Sequence, residues 1–141
     1  MFWDWWQSLF TDMPAYAFFN FKFLPKYGSA VIQGVEYTLI LSVVSVLLAV
    51  LPALLLATMR LSKNRLIRWL SGAYIAIFRS TPMLVQLMII YFGVFFYIPV
   101  PKVMLFGFID STRFIPGVTA LALNSAAYVA EIFRAGILAV D

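Results

Sequence analysis

With 141 residues, 64% of them hydrophobic and 11% charged, the chain has too little polar surface for a water-soluble domain, which would carry about 25% charged residues. The missing solvent is lipid, so burial is judged against a bilayer. The absence of Cys and His excludes disulfides, thiol chemistry, zinc sites and histidine general bases, and a net charge of +4 in so apolar a chain reads as orientation by basic loops, with no nucleic acid as partner.

The N-terminal stretch is crowded with aromatics, among them Trp3, Trp5, Trp6, Phe10, Tyr16 and Phe18. Trp and Tyr favour the headgroup level. Asp4, Asp12, Pro14 and Lys22 leave no apolar run of spanning length, so 1–30 reads as an aromatic interfacial segment and not as a secretory signal. The first span is expected at 37–59, which carries no charge and makes about 35 Å of helix. Pro52 lies inside it. Gly34, Thr38, Ser42, Ser45 and Ala49 recur at helical spacing and predict a face of small residues for close helix packing. Glu36, just before the span, is expected to be solvated.

Arg60, Lys63, Arg65 and Arg68 follow with no acid between them, which places the loop in the cytoplasm. The N-terminus is then outside. The long apolar stretch 66–100 would make about 50 Å as one helix, too much for one crossing. Arg79-Ser80-Thr81-Pro82 supplies the break, because proline disfavours helical geometry at the residue before it. The expectation is a short amphipathic helix over 66–78 at the cytoplasmic surface and a second span at about 82–98, with Pro82 at its start. Lys102, Asp110 and Arg113 then lie outside. A third span at about 116–138 returns to the cytoplasm. The fold class is an all-α integral membrane protein with about three transmembrane helices.

Asn124, Tyr128, Glu131 and Ala135 fall on one face of the third span. Polar groups in a membrane usually face a bundle interior, a partner or a watery cavity. Asn124 is thus a candidate for lining a solute route or for bonding another helix, and Glu131 for the same route or for a local pair with Arg134. Gln86 and Gly93 share a face of the second span at seven-residue spacing, and Gln86 needs a hydrogen-bond partner from another helix or from a solute. Enzyme chemistry has no footing: Glu131 is the one acid inside an expected span, and no nucleophile elbow or phosphate-binding Gly-rich loop is present. Catalytic residues, metal and cofactors are expected to be absent from this chain.

Two stretches, 74–93 (YIAIFRSTPMLVQLMIIYFG) and 120–141 (ALALNSAAYVAEIFRAGILAVD), resemble the inner-membrane permease subunits of ABC importers for polar amino acids, the histidine/glutamine-type group. Gly34-Val-Glu-Tyr-Thr-Leu39 fits the same pattern. The resemblance covers most of 31–141 and implies the N-terminal part of a permease transmembrane domain in a bacterial inner membrane. It carries over Arg79, Thr81, Pro82, Gln86, Asn124, Tyr128, Glu131 and Arg134 as motif positions. It also implies a second permease subunit, two ATPase subunits that hold the ATP, and an external amino-acid-binding protein. The family's cytoplasmic docking loop would follow Asp141, so the chain looks like an N-terminal portion. The rival reading is a small membrane structural or assembly protein whose polar residues only hold helices together.

Overall fold

The computed structural model describes residues 24–140 apart from Phe106 and Phe108. The aromatic segment expected over 1–30 lies largely outside the described residues. Helix α1 spans Leu24–Leu61, α2 spans Arg65–Ser80, and α3 spans Met83–Tyr97 with a π turn over Ile89–Val94. Two short strands, β1 at Met104–Leu105 and β2 at Ile109–Asp110, pair antiparallel before α4, Ser111–Leu138. The chain divides into two compact units after Glu36, and the packing described below lies within Tyr37–Asp141. Glu36 itself is exposed.

Gly28–Leu61 and Ser111–Leu138 are long and apolar enough to cross a bilayer, and a third crossing arises if Arg65–Ser80 and Met83–Tyr97, bent by 107°, form one broken span. By itself α3 reaches only about 22 Å, short of a hydrocarbon core of about 30 Å. At a bend of 107°, α2 adds little depth along α3, so the pair is a broken crossing or a re-entrant turn. Helix α2 also buries Ser71 and Ile75 inside the bundle, while Leu66, Trp69, Leu70 and Ile77 stay exposed.

The core is built from small residues. Ala49 and Ala53 of α1 meet Ala126, Ala127 and Ala130 of α4, with Ile75 of α2 between them and Leu56, Tyr74, Phe78, Val129 and Phe133 around the edge. Alanines at four-residue spacing let helix backbones approach closely, which matters in lipid because no hydrophobic force drives apolar helices together. The small-residue face expected on α1 is displaced along the helix. Ser45 and Ala49 are buried as expected, but Gly34, Thr38 and Ser42 are exposed, and the face continues instead through Ala53 and Ala57. The shift follows the partner: on the first half of α1 the α4 side meets Tyr37, Ile40, Leu41 and Val44, and Gly34, Thr38 and Ser42 lie off that face.

At the other end, Ile109, Phe114 and Val118 pack on Tyr37, Ile40, Leu41 and Val44, and the Tyr37 and Phe114 rings meet edge to face at 5.9 Å. Here α4 starts earlier than the expected position at Pro116. Asp110 is the N-cap, its carboxylate accepting from the Thr112 N–H at 3.0 Å and the Thr112 hydroxyl at 2.7 Å. Those bonds hold the Asp110 carboxyl below the usual carboxylate range. An N-cap aspartate satisfies one of the free N–H groups of a first turn, here that of Thr112, so the helix begins at Ser111, ahead of Pro116. Ser111 ties the hairpin to the helix: its hydroxyl donates to Pro101 O and accepts from Val103 N–H, at 2.7 and 2.8 Å. Between the strands Gly107 takes φ +79°, a conformation open to glycine at little strain.

The all-alanine contact sets the first test. Ala127→Leu places a large side chain where exposure is 0%, and is expected to destabilise the bundle by about 1–3 kcal/mol. Leu51→Ala, at a position 72% exposed, is the control. Unfolding by a denaturing detergent in mixed micelles reads both. Equal behaviour of the two variants refutes the packing assignment.

Candidate functional site

Helix α2 ends because Pro82 has no N–H. In an unbroken helix that N–H would bond to the Phe78 carbonyl, four residues back. Thr81 takes the extended conformation required before proline, φ −99° and ψ 138°, and the chain turns. Pro82 sits just outside α3 as its N-cap, and its carbonyl accepts from Val85 and Gln86 N–H.

Gln86 repairs the break. Its Nε2 donates to Phe78 O at 2.7 Å, Thr81 O at 3.0 Å and Thr81 Oγ1 at 2.7 Å. Two amide protons serve three acceptors, so one is shared. The Thr81 hydroxyl donates its own proton to Ile77 O at 2.8 Å, which leaves its oxygen free to accept from Gln86. Facing two carbonyls, this end of the carboxamide has to be the nitrogen, so Oε1 points the other way. There it accepts from Asn124 Nδ2 of α4 at 2.9 Å. Gln86 is only 7% exposed, and every bond it makes joins the elbow to itself or to α4. The Tyr74 hydroxyl adds a second tie, donating to the Leu123 carbonyl of α4 at 2.8 Å. Asn124 lies about 20 Å from the start of α4 and close to its midpoint. Apart from its bond to Gln86, the Asn124 carboxamide has no partner among the described residues.

One and two turns further along the same face are Tyr128 and Glu131. Tyr128 is 45% exposed, and the Arg79 guanidinium of α2 lies over its ring at 5.4 Å. Glu131 Oε2 accepts from Arg134 Nε and lies against its Nη2, both at 2.9 Å, and Oε1 stands 3.6 Å from Arg60 Nε at the end of α1. An open cleft of about 400 Å³ runs beside them, lined by Arg60, Gly72, Ile75, Ala76, Arg79, Ser80 and Glu131.

Gln86, Asn124, Thr81 and Pro82 thus come together at the elbow, and Arg79, Tyr128, Glu131 and Arg134 follow toward the basic loop. One sequence expectation does not fit: the π turn over Ile89–Val94 adds a residue to the repeat, so the seven-residue spacing no longer aligns Gly93, which is exposed, with the buried Gln86. Sequence reasoning missed Arg60, Tyr74 and Gly72 as parts of the site. A glycine inside a helix costs about 1 kcal/mol relative to alanine, and that was the available signal for Gly72. No group of acidic, His or Cys residues suited to a metal ion occurs among the described residues.

The carboxamide at position 86 gives a sharp test. Gln86→Glu keeps the size but replaces the donor with a carboxylate facing two carbonyls. Gln86→Met removes the polar group altogether. Each leaves buried carbonyls unpaired, at about 1–3 kcal/mol for each lost donor, and the glutamate variant is expected to be the worse of the two. Thermal unfolding in lipid nanodiscs orders them. A glutamate variant as stable as wild type rules out the assigned amide orientation.

No protein-family model matches the chain. Over 120 residues it is 42% identical to a Rickettsia prowazekii permease protein named for a glutamine transport system, covering 85% of this chain and 50% of that one. Over 111 residues it is 41% identical to the arginine transport system permease protein ArtQ of Bacillus subtilis, covering 79% of this chain and 47% of that one. A solved structure described as the crystal structure of an amino acid ABC transporter with histidines aligns with a TM-score of 0.68 and 41% identity, over 84% of this chain and 50% of that one. The chain spans about half the length of the relatives it matches. With its apolar crossings and the elbow packed on α4, this likeness in sequence and fold identifies the chain: it belongs to the permease proteins of amino acid ABC transporters.

Proposed function

We propose that this chain forms part of the solute route of an ATP-driven importer of polar amino acids in a bacterial inner membrane. The observation that carries the reading is the Asn124 carboxamide. One of its N–H groups is fixed by Gln86 at mid-helix, and its remaining polar groups have no partner among the described residues. A polar group positioned in this way is suited to a hydrogen-bonding solute. Tyr128 and Glu131 continue the same face toward the cytoplasm. Gln86 touches the route through Asn124, and Arg79, Thr81, Pro82 and Arg134 hold the frame. The partners of this reading are a second permease subunit, two ATPase subunits that bind and hydrolyse ATP, and an external amino-acid-binding protein. The chain itself then contributes no catalysis and no cofactor.

In the complete transporter, Asn124→Leu is expected to lower amino acid uptake about five- to tenfold, the value of one hydrogen bond. Leucine is favoured in lipid but leaves the buried Gln86 Oε1 without its donor, so uptake is read per transporter present in the membrane. Unchanged uptake removes Asn124 from the route. Uptake lost together with the protein favours the helix-holding role.

Orientation has its own test, since the chain carries no native cysteine. Lys63 and Lys102 are both exposed. A membrane-impermeant maleimide added to intact cells should label Lys102→Cys and spare Lys63→Cys. The reverse pattern inverts the topology.

A further inference from the structure

We propose that the cleft between the end of α1 and the face of α2 is a binding site for the phosphate of an anionic phospholipid. The cleft holds about 400 Å³, and its lining residues include two arginines, Arg60 and Arg79, with Ser80, Ile75 and Ala76. Its one acid is Glu131. Arg134 engages that carboxylate through Nε and Nη2, so the negative charge is already matched on its own helix. The excess charge in the cleft is therefore that of Arg60 and Arg79.

Arg60 stands between Glu131 and Gly72. Its Nε is buried and has no hydrogen-bond acceptor, and its approach to Glu131 is an ion pair at 3.6 Å. Its Nη1 rests on the backbone of Gly72, 2.7 Å from where a Cβ would stand. Nε is turned to Glu131, and the remaining edge of the guanidinium fork is shaped for the oxygens of a phosphate. Arg79 lies over the Tyr128 ring and bonds to no acceptor among the described residues.

The surroundings favour a lipid over a soluble anion. Arg60 ends the charge-free run of α1, at the depth where hydrocarbon gives way to headgroups. Trp69 and Ile77 of α2 are 65% and 60% exposed, apolar surface for acyl chains, and Lys63, Arg65 and Arg68 add attraction for an anionic leaflet. The inference rests on the membrane placement of the chain and not on its transport role.

The test is thermal unfolding of the full chain in uncharged detergent, titrated with phosphatidylglycerol, phosphatidylcholine, inorganic phosphate or glycerol phosphate. Phosphatidylglycerol is expected to protect at concentrations at least about tenfold below phosphatidylcholine. Gly72→Ala retains every charge but displaces the Arg60 guanidinium, and is expected to weaken that protection about tenfold. Arg60→Met should do the same, whereas Lys63→Gln should change it by less than about fivefold, the scale of one basic residue near an anionic surface. If Arg60→Met fails to fold, Arg79→Gln replaces it, because Arg79 is exposed and makes no hydrogen bond to be lost. Wild-type protection in Gly72→Ala reduces the effect to diffuse charge and overturns the proposal. Equal protection by inorganic phosphate or glycerol phosphate overturns the lipid assignment, and equal protection by phosphatidylcholine overturns the anion site.

Discussion

A backbone carbonyl inside a bilayer has no water to bond to, so any break in a helix has to be repaired from within the protein. Pro82 makes such a break, and Gln86 supplies the donor that Pro82 lacks, at Phe78 O. The same carboxamide then has one free end, and that end reaches Asn124. Much else follows from this geometry. The bend of 107° lays α2 against α4, brings the Tyr74 hydroxyl to the Leu123 carbonyl, and puts Arg79 over Tyr128. Without a side chain of this length and polarity four residues after the proline, the elbow would leave two carbonyls unpaired.

The two ends of the α1–α4 contact are held by different physics. Along the middle, alanines allow dense backbone packing, and dispersion supplies the attraction. At the basic end Glu131 is flanked by Arg134 and Arg60, with side-chain exposures of 19%, 34% and 35%. Pairs this open to solvent are screened and contribute on the order of 1 kcal/mol or less each. Their effect is positional. They fix where the end of α1 stands relative to α4, and Gly72 leaves room for Arg60 to do so. Energy comes from the alanine contact, and register from the charges.

Features written in one local stretch of sequence were legible. The charge-free run of α1, the basic loop, the break at Thr81-Pro82 and the polar face of Asn124, Tyr128 and Glu131 each depend on neighbours a few positions apart. Features that depend on a distant partner were not. The buried face of α1 was misplaced over Gly34, Thr38 and Ser42 because only α4 decides which residues are covered. Arg60 read as a helix end and a topology signal, and nothing near it in sequence points to Glu131 on another helix. The start of α4 was misplaced because Pro116 drew attention from Asp110, whose carboxylate caps the first turn through Thr112. The π turn was invisible for a third reason: a single added residue changes hydrogen bonding without changing hydrophobic pattern.

The relatives are named for glutamine and for arginine, solutes of different charge, yet this chain is similar to both at 42% and 41% identity. In this chain the elbow depends on no solute. Gln86 bonds to main-chain carbonyls of α2 and its turn, groups present whatever the side chains nearby, so the frame is built without reference to a solute. What remains adjustable is the exposed part of the α4 face, where Tyr128 and the unoccupied groups of Asn124 stand. Under the transport reading, selectivity is then a property of a few exposed side chains on a rigid support. It can change without disturbing the bonds that close the elbow.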